Sequence, residues 1–486
     1  MTDIEQGKPQ SQQVEFMETS SKDDVQPVVV SAVDQKRICR KFDKKMLSIV
    51  CLLYVLSYLD RGNVGNAKTA GIKDDLHLSD NDWTWVLQVF YITYVCFEFT
   101  QLFWKILPAH IYVSALCFLW GFTAMMSGVV RNKAGLMTTR AFLGIFEAAF
   151  GAGAPFFLSL FYQRRELGKR VATLTGMSPL ANCFASALAY GILHIKGSVA
   201  AWRLLFLIEG VPTVLCAVLV YFKLPDSPDT AFFLTDDEKL QARQRLETVD
   251  RTAKHKVNWK QVVAGLADYQ NWVHATIHFC CNYSFAALSN FLPTIVKDMG
   301  YSTLNANGLT APAYLLAFLC CMFAAWASDR YGNRGWIVAG FAAMGMVGYL
   351  MLATIQDETK TGPRYAAIYL ATCGIFPALS INMTWLLNNQ GGDSKRGAGL
   401  GILATLGQCS SFVSSALFPS TDGPFYVRGC AVGCAFSGLI VVLAIGLHFK
   451  LEHENRRRDR EHGAVEADAH VDVTHGGDSS GFRYLT

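Results

Sequence analysis

The fold class predicted for this chain is an all-α polytopic membrane protein, with twelve transmembrane helices in two six-helix bundles and both termini cytoplasmic. Three observations predict it. Apolar segments of about 20 residues, long enough to cross a bilayer as helices, recur along the chain from Met46 onward. Hydrophobic residues make up 51% of the chain and charged residues only 17%, with a mean hydropathy of +0.24, a balance outside the range of ordinary soluble proteins. A polar, charged stretch over residues 224–269 divides the apolar segments six and six.

Residues 1–45 read as a disordered cytoplasmic tail ending in the basic run Lys36, Arg37, Arg40, Lys41, Lys44 and Lys45. So polar a stretch is not expected to be a cleavable signal peptide, and the segment from Met46 would act as an uncleaved anchor. An N-terminal bundle is expected over 46–223, with spans at 46–66, 84–104, 109–130, 134–162, 170–195 and 202–223. The central loop carries PDSPDT and then TDDEKLQARQRL, where Thr235 and Glu238 form a capping box for a surface helix. A C-terminal bundle is expected over 270–450, with spans at 270–296, 305–328, 335–355, 364–389, 396–418 and 427–449. Residues 451–486, with Arg456, Arg457, Arg458 and Arg460, read as a second disordered tail. Orientation rests on the N-terminal basic run and the central loop, which place most of the 43 Lys and Arg inside; the short loops alone are level.

Composition also excludes. The net charge of +4 is spread over tails and loops without interleaved aromatics, which argues against a nucleic-acid partner. Nearly all of the 14 cysteines fall in predicted spans, with no CxxC or His-rich spacing, so they read as packing residues. No metal or other cofactor is expected. The absence of a GxxxxGK[ST] loop argues against ATP hydrolysis, and no His, Ser or Asp cluster stands at catalytic spacing, so the chain is not read as an enzyme.

The chemistry concentrates in the first four spans. AGLMTTRAFLGIFEAAFGAGAPFFLSLFY carries Arg140 and Glu147, two helical turns and ~10 Å apart on one face. A charge near mid-bilayer costs roughly 2.5–3.5 kcal/mol even on a mild scale, so it must face a partner or a wet cavity. A structural ion pair between helices and a pathway for a charged solute both fit. Span one ends in YVLSYLDRGNVGNA, where Asp60 and Arg61 adjoin; neighbours point about 100° apart on a helix and need not pair with each other. Span two brings Tyr91, Tyr94 and Glu98, the last near the inner end, where a gate or a bond to a neighbouring helix is expected. His274 and His278 lie one turn apart on span seven without a third ligand and read as polar packing. Glu209 and Arg203 on span six read as structural pairing. In AWASDRYGNRG, between spans eight and nine, Asp329, Arg330 and Arg334 occupy a tight cytoplasmic turn that could lock one conformer.

That turn resembles the signature loop of the major facilitator superfamily, G-x-x-x-D-R-x-G-x-R, with Ala325 at the first glycine. More narrowly, YLDRGNVGNA, TTRAFLGIFEAAFGAGAPFFLSLFYQRRELGKR, AWRLLFLIEGVPT, LPDSPDTAFFLTDDEK and FLPTIVKDMGYS resemble the fungal allantoate-permease group of anion:cation symporters. That group includes carriers for nicotinate, pantothenate, biotin and allantoate. The resemblance runs from about Asp60 to Tyr426. It implies that Asp60 and Glu147 bind the coupling proton, that Arg61 and Arg140 neutralise a substrate carboxylate, and that Tyr58 and Tyr94 hydrogen-bond it. INMTWLLNN resembles the group's tenth span, which would make Trp385 and Asn389 cavity residues. Two positions depart: Thr100 stands where the group usually has Pro, and Gln408 rather than Asn follows Gly407, as a polar contact of different reach.

The function expected is therefore secondary active transport: proton-coupled uptake of a small organic anion by alternating access, across the plasma membrane, by a monomer whose other partner is the lipid bilayer. Two buried arginines need compensating charge, which the acids supply until a carboxylate displaces them; the displaced acid then takes up a proton more readily. An exporter or organellar carrier of the same fold is the alternative, and a non-transporting nutrient sensor ranks below it.

Overall fold

Among the described residues, twelve helices of 18 to 36 residues form the body of the protein. In the computed structural model the described residues are 32–195, 197–247, 259–391, 393–463 and 482–486. The first six long helices are α1 (Ser48–Thr69), α2 (Asp80–Phe97), α3 (Ala109–Ser127), α4 (Lys133–Ser159), α5 (Arg164–Ile192) and α6 (Ala201–Lys223). The second six are α7 (Tyr269–Asp298), α8 (Thr303–Tyr331), α9 (Arg334–Thr354), α10 (Thr361–Asn389), α11 (Asp393–Leu417) and α12 (Val427–His462). Their starts follow local chemistry. Ser79 and Asp82 exchange side-chain and backbone bonds of 3.2 Å at the start of α2, and the Asn132 side-chain oxygen Oδ1 accepts from Gly135 N at 2.8 Å ahead of α4; each satisfies amides that the first helical turn leaves without partners. Gly332, at φ +71°, ends α8 in a left-handed conformation that a side chain would strain.

Both halves are assembled in the same way. In the first, α1 packs on α5 and α6, α2 on α4, and α3 on α4 and α6. In the second, α7 packs on α11 and α12, α8 on α10, and α9 on α10 and α12. The second pattern is the first advanced by six helices, so the chain is a structural repeat. The halves meet through α1 on α7, α5 on α8 and α10, and α11 on α2 and α4. Eight of the twelve long helices are apolar enough by length and composition to cross a membrane. The other four, α1, α2, α5 and α7, all lie at the contact between halves, where polar side chains meet protein rather than lipid. At the α1–α7 crossing, a Cβ on Gly65 would lie 2.7 Å from the Asn290 carbonyl oxygen. Gly65→Val is therefore expected to destabilise the protein by about 1–3 kcal/mol, read as a lower thermal midpoint in detergent; an unchanged midpoint would show that the halves do not meet there.

Three expectations need correcting. Residues 32–45, read as part of a disordered tail, belong to a helix (Ala32–Phe42) that passes through a wider turn (Asp43–Leu47) directly into α1. Ile38, Phe42 and Met46 recur every fourth residue and are buried, which anchors it. Residues 451–462, read as disordered, extend α12, whose Arg456 and Arg458 pair with Glu452 and Glu454 one turn earlier at 2.6 and 3.3 Å. Span two begins and ends earlier than expected: α2 gives way at Glu98 to a tighter 3-10 helix, Glu98–Lys105, in which the Thr100 hydroxyl bonds the Phe97 carbonyl at 2.6 Å. Residues 482–486 of the C-terminal tail are also ordered and fold back on α10; residues 1–31 and 464–481 lie outside the described ones. In the central loop the Thr235–Glu238 box forms. Burial of Glu238 raises the proton affinity of its carboxyl, but the Lys41 ammonium at 2.6 Å, the Thr235 amide and Arg37 outweigh this and hold it below the usual range.

Candidate functional site

The buried charges of α1, α4 and α6 form one cluster inside the first half. Asp60 and Arg61 adjoin in sequence but serve different neighbours, as their 100° separation requires. Asp60 faces α6, where the Thr213 hydroxyl donates to its Oδ2 at 3.1 Å. Arg61 faces α4, and its Nη2 and Nε reach Glu147 Oε2 at 3.1 and 3.3 Å. Glu147 is fully buried and Arg61 nearly so, so this is an ion pair in a medium that screens little. The ion pair is one between helices: Glu147 of α4 bonds Arg61 of α1, and not Arg140 two turns away on its own helix.

Arg140 is 1% exposed. Its guanidinium lies 4.8 Å from the centre of the Phe90 ring, and that of Arg61 lies 5.2 Å from the same centre. Tyr58 and Tyr94 stand 4.9 and 4.8 Å from Arg61. The aromatic faces help to hold two like charges close together without anionic partners for both. Nε and Nη1 of Arg140 have no hydrogen-bond partner among the described residues, and neither do Oδ1 of Asp60, Oε1 of Glu147 or either carboxyl oxygen of Glu209. Buried polar atoms of this kind are rare and require an explanation.

The halves touch on both sides of the cluster. Toward the outer ends, as the Lys and Arg bias orients the chain, Asn307 of α8 donates to Thr69 of α1 at 3.1 Å and Asn290 of α7 to Tyr91 of α2 at 3.1 Å. Toward the inner ends, the hydroxyls of Thr175 on α5 and Ser380 on α10 are 2.5 Å apart, and Thr405 of α11 donates to Glu98 at 3.1 Å. Glu98 thus makes a bond between the halves on the inner side of the cluster. Asp329 approaches Arg334 at 3.8 Å, and Arg334 Nη1 donates to the Thr384 carbonyl at 2.9 Å. With its amide turned so that oxygen accepts, Asn388 adds contacts of 2.6 and 2.7 Å to Arg334. Gly168 of α5 sits against Asn388, Thr384 and Arg334, so this turn backs the inner contact between halves. Arg330 is exposed.

Trp385 and Asn389 stand elsewhere than expected. No hydrogen bond or ring contact joins them, or the half-buried Gln408, to either arginine among the described residues. Both are buried at the inner end of α10, where residues 482–486 fold back on them. Trp385 Nε1 donates to the Leu485 carbonyl at 2.7 Å, Asn389 Nδ2 to the same oxygen at 2.8 Å, and Leu485 N to Asn389 Oδ1 at 2.8 Å. Arg483 is held there by Asp459 at 2.7 Å. Asn389→Ala is expected to release this segment and speed tryptic cleavage after Arg483 severalfold; equal cleavage rates would mean that these bonds do not hold it.

Glu209, Thr213 and Phe90 stand beside the cluster and were not expected there from the sequence. An acid within an apolar span was the available signal for Glu209, which was read, like Arg203, as a structural charge: Arg203 does bond the carbonyls of Gly128 and Val130 and approaches Asp75 at 3.6 Å, whereas the Glu209 carboxyl has no hydrogen-bond partner among the described residues. His274 shares a 2.8 Å bond with Asn382, and among the described residues no three His, Cys, Asp or Glu gather as metal ligands.

Known proteins share this architecture. The chain is 31% identical over 449 residues, 92% of its length and 91% of the relative's, to the MFS-type transporter efuF of Hormonema carpetanum. It is 29% identical over 447 residues to the high-affinity nicotinic acid transporter of Saccharomyces cerevisiae, covering 91% of this chain and 83% of that one. Among solved structures, a bacterial homolog of the human lysosomal transporter Spinster, inward-facing and unoccupied, superposes with a TM-score of 0.60 at 14% identity, over 86% of this chain and 97% of that one. That likeness concerns the fold alone. The family model described as Major Facilitator Superfamily matches residues 50–415; the chain is a multi-pass membrane transporter and belongs to that superfamily.

Proposed function

We propose that this chain is a proton-coupled importer of a small organic acid, working as a monomer in the plasma membrane by alternating access between its two halves. The observation that carries this reading is Arg140: a buried guanidinium with two unpartnered nitrogens, beside a second arginine already paired with an acid. A carboxylate is the group that completes such a pair of donors, since a guanidinium presents parallel N–H groups to its oxygens. The flanking Tyr58, Phe90, Tyr91 and Tyr94 suit a flat or apolar acid body. The nicotinic acid transporter among the relatives supports a vitamin-like carboxylate of that shape.

In this scheme the anion docks on Arg140 and draws Arg61 from Glu147. Glu147, having lost its cation, takes the proton, and Asp60 serves as the second carboxylate of the relay. With anion and proton both bound, the net charge of the cluster is unchanged, but the Arg61–Glu147 ion pair that ties α1 to α4 is broken. The contacts at Glu98 and Thr405, and at Thr175 and Ser380, then part on the inner side. The residues around Asp329, Arg330 and Arg334 set the balance between the two states.

The test is uptake of labelled small carboxylates by cells expressing the protein, at pH 5 and pH 7, with and without a protonophore. Accumulation that is greater at pH 5 and collapses with the protonophore supports the proposal. Net efflux, or uptake indifferent to both, would overturn proton-coupled import.

A further inference from the structure

The helix before α1 is more than a connection. Its six cations form two rows at one-turn spacing, Lys36–Arg40–Lys44 and Arg37–Lys41–Lys45, lining a hollow of about 650 Å³ with Phe233 at its edge. The helix is fixed in place: Phe42 makes edge contacts with Phe161, Tyr162 and Phe233 at ring separations of 5.4, 5.9 and 5.9 Å. Acids answer only part of the charge. Glu238 takes Arg37 at 3.3 Å and Lys41 at 2.6 Å, while Asp43 is occupied by Arg170 and Tyr162 at 2.9 and 2.8 Å. Lys36, Arg40, Lys44 and Lys45 are exposed and form no ion pair among the described residues. Like charges one turn apart on a helix are unfavourable, and a fixed hollow gathers four of them.

We infer that this hollow binds the phosphorylated headgroup of an anionic lipid of the inner leaflet. Its position selects a lipid over a free phosphate. The rows end three residues before α1 begins at Ser48, and Leu52 in the next turn is 42% exposed, as a side chain facing acyl chains would be. The cations therefore sit at headgroup depth, where each Lys or Arg strengthens attraction to an anionic surface by about fivefold.

The test titrates the purified full-length chain in detergent with dioctanoyl phosphatidylinositol 4,5-bisphosphate and follows the thermal midpoint. Two variants, Lys36→Gln with Arg40→Gln and Lys44→Gln with Lys45→Gln, change exposed residues only and should melt like the unaltered protein without lipid. Each is expected to raise the half-saturating lipid concentration at least tenfold. Arg456→Gln with Arg457→Gln and Arg460→Gln removes comparable charge from the α12 extension and should leave it unchanged. The inference is overturned if the α12 variant loses as much affinity, if inorganic phosphate shifts the midpoint equally, or if the lipid produces no shift. None of these readouts depends on the transported solute.

Discussion

Arg140→Gln is expected to reduce acid-driven uptake about 100-fold or more, because a hydrogen bond to a charged group contributes roughly 1.5–3 kcal/mol and Arg140 has two nitrogens to give. Arg140→Lys should recover little of it, since an ammonium replaces a planar fork with a point charge. The informative companion is stability. Removing one member of a buried ion pair usually destabilises, but Arg140 has no acid in hydrogen-bond contact among the described residues. The Gln variant should therefore melt at or above the temperature of the unaltered protein. Lost uptake with preserved melting identifies a binding residue; lost uptake with a collapsed midpoint would make Arg140 a structural charge.

Glu147→Gln is expected to show the opposite balance. Arg61 would lose its ion pair in a fully buried site, and breaking such a pair costs about 3–5 kcal/mol, so the thermal midpoint should fall clearly. Exchange of labelled for unlabelled anion across proteoliposomes should persist, because the arginines remain. Accumulation against a gradient should not, and the advantage of pH 5 over pH 7 should flatten to about onefold. Proton-driven accumulation that survived this substitution would remove Glu147 from the coupling step.

Much of this was legible in the sequence, and its limits have physical reasons. Twelve helices follow from segment length; the caps at Ser79, Asn132 and Ser302 set where α2, α4 and α8 start. The divergence of Asp60 and Arg61 follows from helix geometry alone. Which helix each of them meets does not, because spacing along α4 fixes that Arg140 and Glu147 share a face but not which neighbour crosses it. Glu147 found its cation on α1. The seating of Trp385 and Asn389 on residues 482–486 involves partners about a hundred positions away, and no local pattern marks them. The helix at 32–47 was recoverable: Ile38, Phe42 and Met46 repeat at helical spacing beneath a basic run that draws the eye first.

The claim on which the rest depends is that the arginine cluster recognises a carboxylate. The most direct measurement compares an acid with its amide, nicotinate against nicotinamide, as competitors of labelled nicotinate uptake or as ligands that raise the thermal midpoint of the purified protein. The two share shape and ring and differ in the negative charge offered to Arg140 and Arg61. The account predicts that the acid competes and stabilises, that the amide does neither, and that Arg140→Gln abolishes the difference. Equal competition by acid and amide would contradict it.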